Sequence, residues 1–181
     1  MSAAPTLKFP QKTVLNLGCG QRYYEHAVNV DVPASSVEAD VWHDLNQFPW
    51  PFAGNSFEEV LANDIMEHLR DLHSTMQEIH RICCPGARVR IATPHFSSAN
   101  AYTDPTHLHY FSLFSFDYLT GEHAFYQGSG FRTVRRELVF HPTLVNKLVW
   151  RLAKRNPAEY ERRWAWIFPA WFLSLELEVV K

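Results

Sequence analysis

Two glycines one residue apart, Gly18 and Gly20, follow the apolar run 13–17. Carboxylates stand at the ends of the next three apolar runs, at Asp31, Asp44 and Asp64. Paired glycines let a backbone turn tightly and approach a ligand that a β-carbon would block. Alone, that pattern is only a turn. A carboxylate at Asp31 can accept two hydrogen bonds from a ribose diol, as dinucleotide folds use it. Asp44 can accept from an adenine amino group, and Leu45 offers backbone groups and an apolar wall. Asn63, beside Asp64, stands at the lip of the same crevice. Each acid singly reads as a solvated loop residue. Three at successive run ends read as a nucleotide site.

A second set lies beyond the last of these runs: His95, Asp104, His107 and His109. Histidine titrates near neutrality and is the commonest general base. His107 is the expected base, with Asp104 to orient it and His95 nearby. A loop histidine is more often a hydrogen-bonding residue with no catalytic part, and the chain has 10 histidines. His107 and His109 with Asp104 or His95 are also metal-ligand types. His-x-His arises by chance in a chain this rich in histidine, so no metal is expected.

These residues need elements to hold them. Runs 13–17, 27–31, 37–44, 57–63 and 87–93 read as strands, mostly aliphatic as buried parallel strands are. Only residues 20–26 separate the first two, too few for a full crossover helix. Leu69, Leu72, Met76, Ile79 and Cys83 step by three and four, a helix face, and Pro85-Gly86 turns the chain after it. Residues 99–123 read as loop with one helix near 113–119. A strand at 131–140 and a helix at 143–154 follow, the helix with Leu144, Leu148 and Leu152 on one stripe. Residues 173–180 alternate as a half-exposed strand, suited to an antiparallel edge. The pattern predicts an α/β, Rossmann-like, doubly wound, mostly parallel sheet with an antiparallel C-terminal strand. It forms one domain over 1–181, with an acceptor-side insertion at 95–130 and a helical, aromatic segment at 141–172. Ligands in such sheets bind beyond the carboxyl ends of strands.

Composition sets bounds. The chain has 181 residues, 46% hydrophobic and 20% charged, enough for one core. Only residues 1–5 read as disordered. A net charge of −2 argues against a nucleic acid partner. Three cysteines, two of them adjacent, form no disulfide framework and fit a reducing, cytoplasmic setting. No signal peptide is visible. The apolar stretch 164–173 is shorter than the roughly 20 residues a membrane helix needs. Trp150, Trp164, Trp166 and Trp171 interleave with arginines in a way that also suits a peripheral membrane contact or a homodimer interface. The expectation is that these rings pack over the sheet or form a lid.

A dinucleotide fingerprint wants a third glycine where Tyr23 stands, and an acid roughly 20 residues on, later than Asp31. That counts against an NAD-dependent oxidoreductase. The run Val14-Leu-Asn-Leu-Gly-Cys-Gly20 resembles motif I of the class I S-adenosylmethionine (SAM)-dependent methyltransferases. Asn29-Val-Asp31 resembles their acidic position after it. Asp44-Leu45 with Pro49, Pro51-Phe52 and Asn55-Ser-Phe57 resembles their DL…LPF…SFD stretch. Met66-Glu-His-Leu69 resembles LEHL, and Glu78-Ile-His-Arg-Ile82 with Pro85-Gly86 resembles ExxRVLKPGG. The likeness covers residues 13–94 in order and is closest to a compact bacterial subgroup of the type 11 methyltransferases. It implies SAM as cofactor, Gly18 and Gly20 under its backbone, Asp31 on the ribose, and Asp44 with Leu45 on the adenine. Asn16 stands where the family has an acid, and Arg22 where many members have the last glycine. The acceptor implied is a small molecule or saccharide hydroxyl, lipid-linked in one version. The other reading is a non-catalytic subunit of the same fold that serves a protein partner.

Overall fold

The computed structural model describes residues 9, 11–33, 37–120 and 130–181. The expectation of disorder at 1–5 and part of the 95–130 insertion lie outside them. Strands β1 (Val14–Leu17), β2 (Ala27–Asp31), β3 (Val41–Trp42), β4 (Phe57–Asn63) and β5 (Cys83–Pro94) pair in parallel. β6 (Phe131–Val139) and β7 (Phe172–Val179) complete one sheet in the order β3-β2-β1-β4-β5-β7-β6. β7 runs antiparallel to both its neighbours. The predicted α/β, doubly wound, mostly parallel class is therefore the observed one. β7 is an interior strand and not the expected edge: Leu173, Leu175, Leu177 and Val179 are all buried. β6 is the edge.

Helix α1 (Leu72–Ile82) is capped by Asp71, whose side chain accepts from the Ser74 N–H. Its Met76, Ile79 and Ile82 share a core with Val60, Val89, Ile91 and Leu177. The helix ends at Ile82, before Pro85-Gly86, which lies within β5 where the β4–β5 register shifts. Short helices α2 (Asn100–Thr103) and α3 (Asp117–Thr120) follow, then α4 (Leu144–Arg155) and α5 (Pro157–Arg163).

Strand alternation sends the other side chains to the opposite face. There Glu59, Arg88, Arg90, Arg132, Glu176 and Glu178 form ion pairs across β4, β5, β7 and β6. Charge, not a helix, meets solvent on that part of the sheet.

The stripe predicted on α4 is real but faces outward. Leu144, Leu148 and Leu152 are 85%, 58% and 62% exposed, while Val149 and Ala153 turn inward at 8% and 1%. Trp164, Trp166 and Ile167 are exposed too. Helical spacing placed the leucines on one face; it could not say which face meets the sheet.

Candidate functional site

The link from β1 to β2 contains no helix. It is held instead by buried amides. The Asn16 Nδ2 group donates to the Arg22 carbonyl at 2.8 Å and to Asn29 Oδ1 at 3.0 Å. Asn29 Nδ2 donates to the Tyr24 carbonyl and to Asp40 Oδ2, both at 2.9 Å. The Asn16 nitrogen is thus spent on holding the turn.

Gly18 and Gly20 both have positive φ, 59° and 50°, a region where a β-carbon is strained. Their surroundings differ. A β-carbon on Gly18 would lie 2.5 Å from Ile65 Cδ1, whereas one on Gly20 would meet nothing within 4 Å. The first glycine is packed; the second opens onto the crevice. Asp31 turns its carboxylate to that opening. Its Oδ2 accepts from the Gly20 N–H at 2.6 Å and its Oδ1 from the Val32 N–H at 2.8 Å. A carboxylate has about four acceptor sites, so beyond these two bonds about two remain, one of them facing the Cys19 thiol. The Cys19 thiol lies 3.7 Å from Asp31 Oδ2, and burial, then the Asp31 charge, push its pKa up to about 11.

Across the opening, Arg22 pairs with Asp64 at 2.9 Å, the arginine exposed and the aspartate half-buried. Asp64 sits just past β4 with φ 54°. The Arg22 arm spans from the glycine turn to the tip of β4, and none of its atoms comes within 4 Å of where a Gly20 β-carbon would stand. Asn63 is half-buried at that tip.

Asp44 and Leu45 stand in the loop after β3. Asp44 accepts from the Asn46 N–H at 2.9 Å, a bond that holds its carboxyl below the usual range. The Leu45 side chain is buried in the core, so it is not the apolar wall expected of it. Its carbonyl accepts from Trp50 Nε1 at 3.1 Å. The Glu78 and Arg81 pair ties this loop to α1: Glu78 accepts from the Trp50 N–H, and Arg81 donates to the Trp50 and Phe52 carbonyls. The ExxR motif is scaffold here.

The acceptor-side residues divide. His95 is fully buried, between Ser97 Oγ at 2.8 Å and Glu161 Oε1 at 3.1 Å. His109 Nε2 meets the Leu69 carbonyl at 2.8 Å. Neither joins His107. Asp104 does not bond to His107 as expected. It accepts from the Thr106 hydroxyl at 2.7 Å, and the Thr106 oxygen faces His68 Nδ1 at 3.0 Å. The partner of His107 Nδ1 is the Ala101 carbonyl, at 2.9 Å.

What does meet His107 is a pair passed over in the sequence as part of the LEHL-like motif. Glu67 and His68 lie on a 3-10 turn, Met66–His68, directly after β4. The Leu108 N–H donates to the Glu67 carbonyl at 2.8 Å, which docks the His107 segment on this turn. The His68 and His107 rings meet edge-on, centroids 4.7 Å apart. One donor atom from each of Glu67, His68 and His107 lies within 4.8 Å of the other two. The Glu67 carboxyl is 1% exposed, and that burial raises its pKa. Burial, with His107 second, lowers that of His68. An adjacent Glu-His pair just past a strand end was the signal available.

Among known proteins, a family model described as "Methyltransferase domain" matches residues 15–91. No curated protein matches. A SAM-dependent methyltransferase from Archaeoglobus fulgidus superposes with a TM-score of 0.69 at 16% identity, over 93% of this chain and 86% of that one. One from Mesorhizobium loti gives 0.58 at 15%, over 98% and 93%. A chain from the Haloferax volcanii complex with the Trm112 methyltransferase activator gives 0.58 at 18%, over 98% and 85%.

Proposed function

We propose, for a chain that carries a class I SAM-dependent methyltransferase domain, that it transfers a methyl group to a hydroxyl of a small-molecule or saccharide acceptor. The observation that carries this is the Asp31 carboxylate, turned onto the open Gly20 turn. The residues fit the cofactor: a space a β-carbon would fill, a carboxylate with an acceptor site to spare, and opposite charges at Arg22 and Asp64. SAM, when bound, supplies a methyl already activated by its sulfonium.

The chain's own part is alignment and proton handling. Gly18 and Gly20 shape the turn, and Asp31 holds the ribose. Asn16 secures the turn from behind. Asn63 and Asp64 line the rim, and the Asp44–Leu45 loop closes the adenine side through its backbone. His107, whose Nδ1 proton goes to the Ala101 carbonyl, keeps an Nε2 lone pair to take the acceptor's proton. Asp104 works through Thr106 on His68. Buried His95 positions the segment after β5 and touches no acceptor.

Calorimetry with S-adenosylhomocysteine tests the reading. Micromolar binding is expected, and Asp31→Ala removes charge-assisted hydrogen bonds of about 1.5–3 kcal/mol, roughly a 10- to 100-fold loss. No binding of SAM or S-adenosylhomocysteine would remove the assignment.

The outward face of α4 supports a lipid-linked acceptor. Leu144, Leu148 and Leu152 lie beside Lys147, Arg151, Lys154 and Arg155, a composition that suits an anionic lipid surface. No helix among the described residues is long and apolar enough to cross a membrane. Co-sedimentation with anionic vesicles, lost in Leu148→Glu, is expected. A dimer without vesicle binding makes the face a homodimer interface instead. The free thiols fit a cytoplasmic setting.

The Arg22–Asp64 bridge over the crevice favours a second reading, a SAM-fold subunit that serves a protein partner, as one structural neighbour comes from a complex with an activator. Turnover by the purified chain alone would end that reading.

A further inference from the structure

We propose that Glu67, His68 and His107 form a binding site for a first-row divalent cation of the zinc type. The three donors are the right kinds: two imidazoles and one carboxylate suit zinc, iron, cobalt or manganese. Their spacing is close to what such an ion needs. Donors about 2.1 Å from a tetrahedral ion stand roughly 3.4 Å apart. Side-chain rotation can close the observed spread of up to 4.8 Å to that value.

The hydrogen bonds around the cluster prepare it. Among the described residues, Glu67 Oε2 accepts from Thr93 Oγ1 at 3.0 Å, while its buried Oε1 has no partner. A buried, unpaired carboxylate oxygen is costly, and a cation removes that cost. His107 Nδ1 faces a carbonyl and so carries the proton, which leaves Nε2 as the donor. The Thr106 hydroxyl gives its proton to Asp104, so its oxygen accepts from His68 Nδ1–H. Both rings are thus fixed in the tautomer that offers Nε2. An imidazole N–H held by a carbonyl or a hydrogen-bonded relay is the usual outer shell of a metal-ligating histidine. Three protein ligands leave a fourth position for an oxygen donor, the arrangement of catalytic rather than structural zinc. With the ion bound, the His107 lone pair is a ligand, so the base role given to His107 above belongs to the metal-free chain, and the cation instead makes a bound hydroxyl more acidic. Metal binding at these residues needs no SAM, so it stands or falls separately from the methyl-transfer reading.

The test uses the full chain, stripped with a chelator and titrated with Co2+ and Zn2+ alone. Saturable binding of one ion per chain is expected, with Co2+ visible absorption bands of a nitrogen- and oxygen-ligated site. His68→Ala and His107→Ala should each weaken binding at least about 10-fold, and Thr106→Val, an outer partner, about 10-fold. His109→Ala should leave it unchanged. Zinc-edge X-ray absorption on the unaltered chain reports the ligands without any variant: two imidazoles and a carboxylate oxygen support the site, sulfur ligands overturn it. Absence of saturable binding overturns it too, as does binding that survives both histidine substitutions. S-adenosylhomocysteine calorimetry on the same samples shows whether the cofactor side is intact whichever way the metal result falls.

Discussion

The rim of the crevice and the α4–α5 layer are built on opposite terms. At the rim, buried polar groups have partners close in sequence: Asn16 with Asn29, Asn29 with Asp40, Gly20 with Asp31. Little surface is left over, and each bond fixes a neighbour. In α4 and α5 the inward anchors are small in number, chiefly Val149, Ala153 and Tyr160, while four large apolar side chains of α4, Leu144, Val145, Leu148 and Leu152, face outward. Scattered exposed apolar residues are normal, but a contiguous row marks a surface meant to meet something. The difference teaches that the rim is specified from within, whereas the C-terminal layer carries apolar surface that its own fold does not use.

The largest expected effect breaks the rim. Gly18→Ala imposes positive φ on a β-carbon and drives it into Ile65, at a cost of roughly 2–4 kcal/mol. Gly20→Ala shares the backbone strain but meets no atom, so the cost is about 1–2 kcal/mol. Urea unfolding should separate the two. Cofactor affinity should fall for Gly20→Ala although the fold survives, because its β-carbon stands in the opening. Equal stability losses would mean that the turn is not packed on one side and open on the other.

That contrast explains what was legible in the sequence. β2 and β4 appear with the expected bounds because buried parallel strands are continuous apolar runs ended by polar residues. β3 shrank from 37–44 to Val41–Trp42, since pairing with β2 extends only that far. Gly18, Gly20 and Asp31 come together as expected because all three lie at adjacent strand ends, where topology alone brings them close. Glu67, His68 and His107 were not legible as a group. They meet because backbone bonds dock residues 108 and 109 on the Glu67 carbonyl, and no periodicity encodes such a contact. Asp104 likewise reaches His68 only through the Thr106 hydroxyl, a tertiary contact.

A smaller effect sharpens the other side of the comparison. Val149→Ala deletes buried methyl groups and should cost about 1–2 kcal/mol. Leu148→Ala, one position before it, should stay within about 0.5 kcal/mol, as exposed sites do. Thermal unfolding at two protein concentrations checks both. A Leu148→Ala cost near that of Val149→Ala, with a melting point that rises with concentration, would show that a second copy covers the face in solution.

The smallest effect leaves stability alone and reads how closed the rim is. The Cys19 thiol is buried against Asp31, with a pKa raised to about 11. At about pH 8 only around one thiol in a thousand is then ionised, and the thiolate is the reactive form. Cys83 is buried and pushed up to about 12, chiefly by desolvation. Cys84 is half-exposed, so mass spectrometry after brief alkylation should find the label there first. Raising the pH towards 11 should bring Cys19 into reaction. Asp31→Asn removes the neighbouring negative charge, which lowers the Cys19 pKa and speeds labelling a few-fold, while burial keeps the rate below that of Cys84. If Cys19 instead labels as fast as Cys84 near neutrality, the turn opens often in solution. The Asp31 carboxylate could not then stay seated on Gly20, and the rim would be no better fixed than the outward face of α4.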